Sequence, residues 1–297
     1  MSAFELYVSH STLFGGWQKP FDKADYVVVG VPFDATSSYR RGARYAPLAI
    51  RVASLNIESF SFSSGIDMED LNIHDLGDLH TSGNTEITLK NLELTARDLI
   101  EIGKTPVLLG GEHTITLGAM RALGGKDTAV ISLDAHLDLR HEHLGITTSH
   151  TSFMRRLNEQ VKPSQIVEVG TRAVCKEELS FAKQAGIQYF TMKEIQRRGI
   201  EATAKLVMKT IENCKKIYLT VDFDVLDPAF APAVQNPEPN GLSTQSMSAL
   251  VSCLCDKRLA GLDLVEVTPF YDHGVTAIQA AKLLFEVLCF SEKSRRN

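Results

Sequence analysis

The stretch AVISLDAHLDLR, residues 129–140, decides how the whole chain reads. Its first five residues are apolar or small, which predicts a strand buried on both faces. Asp134, His136 and Asp138 then follow at every second position. Side chains alternate along a strand, so these three can converge on one side where the strand ends. A solvated edge strand would account for a single D-x-H-x-D, but it leaves the apolar run before it unexplained.

Similar apolar runs recur at 26–31 (YVVVGV), 106–110 (PVLLG), 166–170 (IVEVG), 216–223 (KIYLTVDF) and 262–267 (LDLVEV). Segments of helical periodicity lie between them. Residues 85–103 space their apolar side chains three and four apart and end at Gly103, a suitable C′ residue. Residues 180–186, 199–214 and 277–290 behave alike. Strand and helix alternate to the end, which predicts an α/β fold with a doubly wound parallel sheet. No repeat or low-complexity linker divides residues 1–297, so one domain is expected. Segment 225–243, VLDPAFAPAVQNPEPNGLS, carries four prolines and reads as a long functional loop. The polar tail SEKSRRN reads as frayed.

Composition closes off several classes of function. A net charge of −5 gives no basic surface for nucleic acid or anionic lipid. No apolar run approaches the ~18 residues of a membrane span, and the N-terminus lacks a signal-peptide layout. The five cysteines are scattered and odd in number, which points to a reducing cytoplasm. Cys253 and Cys255 lack zinc-knuckle spacing and read as buried, inert thiols.

Ligands of open α/β sheets bind at the carboxyl ends of the strands. His113 follows the run 106–110; Asp134, His136 and Asp138 follow 129–133. Asp222 and Asp224 close 216–223, and Glu266 follows 262–265. Carboxylates crowded this way raise one another's pKa values unless cations intervene. Four Asp and two His suffice for two divalent ions with two bridging carboxylates. An oxygen-rich set with one imidazole per ion and no thiolate suits Mn²⁺ better than structural Zn²⁺. Two such ions would ionise a shared water near neutral pH. Asp227, directly before Pro228, reads as a structural turn or cap residue.

These residues resemble the ureohydrolases, the family of arginase, agmatinase and their relatives. The resemblance spans nearly the whole chain. GVPFDATSSYRRGARYAPLAIRVAS (30–54) is similar to the family's opening segment. GGEHT, DAHLD and DFDVLDP are similar to its three metal motifs, with Glu112 where Asp is commoner. LVEVTP is similar to the segment that holds the guanidinium-binding glutamate. The resemblance implies a three-layer α/β/α fold with eight parallel strands and assembly as trimers or hexamers. It implies one ion held by His113, Asp134, Asp138 and Asp222, and another by Asp134, His136, Asp222 and Asp224. His150 in TTSHTSFMRR aligns with the family's mobile proton-shuttle histidine. A loop histidine of ordinary pKa, about 6.5, passes protons at neutral pH. His141 and His143, in the same loop, read as solvent-facing. His10, His74, His80 and His273 carry no role that can be argued from sequence.

The activity implied is hydrolysis of agmatine to putrescine and urea, a step of polyamine synthesis. Glu266 would hold the guanidinium by charge-assisted hydrogen bonds, and Asp138 would relay a proton to the leaving amine. The DLR form at 138–140 is frequent in bacterial and archaeal agmatinases, whereas arginases have an asparagine at the position of Arg140. Arg140 can also bind a carboxylate itself. Ala233, Gln235 and Asn240 replace commoner glycines of the loop. Asn240 tolerates a left-handed backbone, and Gln235 is expected to project into the substrate mouth. Arginase, guanidinobutyrase and other guanidino-acid activities stay open, as does an inactive metal-binding protein. A single-zinc deacetylase needs fewer carboxylates, and a phosphoesterase gains nothing from Glu266.

Overall fold

The computed structural model describes residues 2–296 apart from His10. In chain order the strands are β1 (Val8–Ser9), β2 (Tyr26–Val31), β3 (Phe60–Ser61), β4 (Ile66–Asp67), β5 (Ile73–Leu79) and β6 (Thr105–Gly110). They continue as β7 (Thr128–Leu133), β8 (Gln165–Thr171), β9 (Gln188–Thr191), β10 (Lys216–Asp222) and β11 (Leu259–Val265). The helices are α1 (Ala3–Tyr7), α2 (Ala46–Ser54), α3 (Thr85–Glu101), α4 (Ile115–Leu123) and α5 (Phe153–Gln160). After them come α6 (Lys176–Ala185), α7 (Met192–Arg198), α8 (Ile200–Thr210), α9 (Thr244–Leu254) and α10 (Val275–Arg296).

One sheet of nine strands runs in the order β1-β5-β2-β6-β11-β10-β7-β8-β9. Its neighbours are parallel except for the β1–β5 pair. The eight expected parallel strands therefore carry one short antiparallel edge strand. Strands β3 and β4 form a separate antiparallel pair.

The apolar runs are strands because both their faces are covered. Val107 and Leu109 of β6 join one core with residues of α2 and α7 to α10. Leu108, between them, joins a second core with residues of α3 to α6. The same alternation holds along β7 and β10. The result is helices on both sides of the sheet, the three-layer architecture expected. Helix α3 starts where Asn84 Oδ1 accepts the Ile87 N–H at 3.2 Å. It stops before Gly103, whose φ is +78°.

Three readings change. The tail is helical to Arg296, because Arg295 lies over the Tyr26 ring at 4.7 Å and donates to Thr105 Oγ1 at 3.3 Å. Strand β5 lies outside the apolar runs, since it carries Asp75 and Asp78. Both pair with Arg51 of α2, which is fully buried. Cys253 is exposed rather than buried, on the outer side of α9. His10 lies outside the described residues. Among those residues no helix is long and apolar enough to cross a membrane.

Candidate metal centre

Four adjacent strands, β6, β11, β10 and β7, end at one place. His113 occupies the turn between β6 and α4, and Asp134 to Asp138 follow β7 directly. Asp222 closes β10, Asp224 sits in the 3₁₀ turn after it, and Glu266 follows β11. The expected convergence is present in space.

His113 is fully buried, and its ring is fixed from behind. Nε2 lies 2.8 Å from Thr220 Oγ1, whose own proton goes to Asp263 Oδ1. Thr116 Oγ1 and the Tyr218 hydroxyl donate to the other Asp263 oxygen at 2.8 and 2.7 Å. Nε2 is therefore the protonated nitrogen, and Nδ1 presents a lone pair forward. In front of Nδ1 stand Asp134 Oδ2 at 3.1 Å, Asp138 Oδ2 at 3.3 Å and Asp222 Oδ2 at 3.3 Å. Nδ1 has no hydrogen-bond partner. A bare lone pair facing three carboxylate oxygens is repulsive unless a proton or a cation sits among them.

A second group meets the first at Asp134. His136 Nδ1 lies 3.5 Å from Asp134 Oδ1 and 3.1 Å from Asp224 Oδ2. The ligand atoms of His113, Asp134 and Asp222 lie within 4.8 Å of one another, as do those of Asp134, His136 and Asp224. Backbone amides aim the remaining oxygens. Asp134 Oδ1 accepts the His136 N–H at 2.6 Å, Asp222 Oδ1 the Asp224 N–H at 2.9 Å, and Asp224 Oδ1 the Ala135 N–H at 3.1 Å.

The electrostatics agree with the geometry. Burial and then Asp134 push Asp138 up to about 7. Burial, then Asp224 and Asp134, raises Asp222 well above the carboxylate range. Against burial, their carboxylate neighbours raise His113 and His136. The cluster is short of positive charge, which two cations would supply. The donor set fits two oxygen-seeking divalent ions, with Asp134 common to both.

The remaining predicted residues surround this centre. Glu266 is buried, with φ +68°, and its Oε1 accepts the His113 N–H at 2.6 Å. Its Oε2 has no partner, and burial, then Asp222, raises its pKa well above the ordinary value. Asp138 is likewise a non-glycine residue with positive φ, +51°. A cleft of about 260 Å³ opens above, with His136, Asp138 and Asp224 in its floor. Arg140, His143 and Glu238 line its outer part. Among the described residues, the Arg140 side chain has no hydrogen bond or ion pair. His143 is half-buried here rather than solvent-facing; His141 is exposed.

Two expectations are corrected. His150 lines the cleft but is 3% exposed, and burial, joined by His136 and His113, lowers its pKa to about 3. Its surroundings are not those of a free loop histidine near 6.5. Gln235 does not project into the mouth. The loop folds back on β11's extension, pairing Val234 with Val267 and Gln235 N–H with Glu266 O at 3.0 Å. That register turns the Gln235 side chain inward, fully buried, against Ser37 and His150. Asn240 adopts φ +63°, the left-handed conformation foreseen. Asp227 Oδ1 and Oδ2 accept the Ala229 and Gly241 N–H groups, the turn-holding arrangement of a structural residue.

The arginase family model matches residues 24–289. The chain belongs to the arginase family. It is similar to the agmatinase of Bacillus subtilis, 35% identical over 90% of this chain and 92% of that one. It is 34% identical to the proclavaminate amidinohydrolase of Streptomyces clavuligerus, over 89% and 87%. Among solved structures, the agmatine ureohydrolase of Thermoplasma volcanium superposes with a TM-score of 0.88 at 37% identity, covering 94% and 93%. This arginase-family chain is thus a hydrolase, and its two His/Asp clusters match the binuclear metal chemistry of that family.

Sequence reasoning overlooked the residues behind the site. Asp263 and Glu168 are charged residues inside apolar strands, a signal that was available. Glu168 is buried next to Ser132 on the adjoining strand, and its pKa is raised by burial and Asp134. Nothing in the sequence points to Thr36 and Ser38, which reach His150 only through the fold, or to Ser37, which reaches Gln235.

Proposed function

We propose that this arginase-family hydrolase cleaves the guanidinium group of agmatine to urea and putrescine, using two Mn²⁺ ions per chain. One observation carries the reading: Asp134 belongs to both ligand clusters, next to a buried glutamate with one oxygen free. His113, Asp134, Asp138 and Asp222 would hold one ion. Asp134, His136, Asp222 and Asp224 would hold the other. Bound there, the ions supply the Lewis acidity that ionises a water near neutral pH.

The chain's own side chains do the rest. Glu266 Oε2 accepts the guanidinium N–H groups and sets the planar carbon over the clusters. Asp138 relays the proton given up by the attacking water to the departing amine. His150, with Nδ1 3.9 Å from Glu266 Oε1, stands where protons leave for the cleft. Burial keeps its imidazole neutral, so it relays a proton between its two nitrogens rather than holding one. Water adds to the guanidinium carbon, the carbon–nitrogen bond to the alkyl amine breaks, and the amine takes the proton.

A second reading rests on Arg140. Its guanidinium lines the cleft without a partner, which favours a carboxylate-bearing guanidine. Urea release from agmatine, arginine and 4-guanidinobutyrate by Mn²⁺-loaded protein separates the two. Urea from agmatine alone supports the first; preference for a carboxylate-bearing substrate replaces it with the second. No urea from any of the three, with both ions bound, overturns both. The Glu266→Ala variant, at full metal content, is expected to release none.

We further propose assembly as a trimer or hexamer in a reducing cytoplasm, within polyamine synthesis. An apolar groove along α2 and residues 269–278, with Tyr45, Leu48, Val52 and Phe270 about half or more exposed, supports self-association. Light scattering behind size exclusion tests it; a monomer at micromolar concentration removes it.

A further inference from the structure

We infer that Gln235 is a positioning residue that clamps the His150 imidazole in its working orientation; this rests on the proposed guanidine hydrolysis. The Gln235 amide nitrogen lies 3.2 Å from His150 Nδ1 and 3.3 Å from Nε2, so it straddles the edge that joins the two ring nitrogens. The amide is itself anchored, because the Ser37 hydroxyl donates to Gln235 Oε1 at 2.6 Å. Ser38 Oγ meets His150 Nε2 at 3.0 Å.

The backbone of this clamp is pinned as well. Thr36 Oγ1 accepts the His150 N–H at 3.1 Å, and Glu112 Oε2 accepts the Thr36 N–H at 2.7 Å. Gln235 N–H reaches the Glu266 carbonyl at 3.0 Å. One short segment thus ties the histidine that moves protons to the glutamate that faces the guanidinium. A glycine at 235 would leave the imidazole without its amide and with room to turn. Gln235 is fully buried and stands behind His150, so it meets no substrate in the cleft.

A positioning role and a substrate-reading role separate kinetically. Gln235→Ala and the isosteric Gln235→Met should each lower kcat about 10- to 100-fold, part of the gain that a placed acid or base gives. KM and metal content should stay at the wild-type values. Ser37→Ala should lower kcat less, and should add nothing in the Gln235→Ala background, since both act through one contact. Nitrogen NMR of ¹⁵N-histidine protein loaded with diamagnetic Zn²⁺ gives a readout independent of turnover. One pyrrole-like and one pyridine-like His150 nitrogen are expected in the wild type, and averaged signals in Gln235→Ala.

A raised KM at unchanged kcat would make Gln235 a substrate reader and overturn the clamp. Full kcat in Gln235→Met would reduce it to packing, and identical His150 nitrogens in wild type and Gln235→Ala would end it. If the wild type releases no urea from any guanidine, the hydrolase reading fails on that observation. The nitrogen spectra then still decide whether the clamp exists.

Discussion

Replacing Asp134 by Asn tests the shared position of that carboxylate. Asparagine keeps the shape and the Oδ1 acceptor for the His136 N–H, so folding is preserved. It removes a charged group that belongs to both clusters. An ion at about 100 times its Kd stabilises the folded state by about 2.7 kcal/mol, so two ions contribute about 5 kcal/mol. At about 2–4 °C per kcal/mol, the wild type should gain about 10–20 °C in Tm on metal loading. The variant should lose most of that gain. Without added metal the variant should also be somewhat less stable than the wild type near neutral pH, because, against burial, His113 and His136 hold Asp134 below the ordinary carboxylate range. Differential scanning calorimetry with and without Mn²⁺, alongside metal analysis, reads both numbers. A variant that keeps the full metal-dependent shift would refute the argument that Asp134 serves both ions.

Three further outcomes are expected. Thr220→Val removes the acceptor for His113 Nε2–H and should weaken one of the two ions by about 10- to 100-fold, seen by calorimetric titration. Metal affinity should fall as pH drops from about 8 to 6, because raised groups such as Asp138, at about 7, must lose their protons for an ion to enter. Titrations in buffers of different ionisation enthalpy should show net proton release, and none would contradict the assignment. Arg51→Met leaves Asp75 buried without its cation and should cost about 3–5 kcal/mol in urea denaturation.

The legible parts of this chain are those set by local alternation. The six predicted strands are readable because both faces are buried, and the metal ligands because they continue the pleat past the strand end. Strand β5 escapes because its acidic residues are neutralised by Arg51, some two dozen positions away in sequence. The direction of Gln235 depends on how loop 225–243 pairs with residues beyond β11, which no local pattern encodes. Thr220 and Asp263 lie across the sheet from one another, in register on β10 and β11. Their joint support of His113 exists only once those strands are neighbours. Resemblance brings His150 to the site, but its burial comes from Ser38, Gln235 and Thr36 together.

The backbone at Glu266 has a consequence for anyone selecting hardier versions of this chain. Its φ of +68° costs an ordinary residue about 1 kcal/mol or more, and its Oε2 is a buried oxygen left bare. Glycine would relieve both at once. A screen that rewards heat tolerance alone would therefore favour Glu266→Gly and enrich enzymes that outlast the parent while turning nothing over. Selection at this position has to reward catalysis directly, or the gains will be made of lost function.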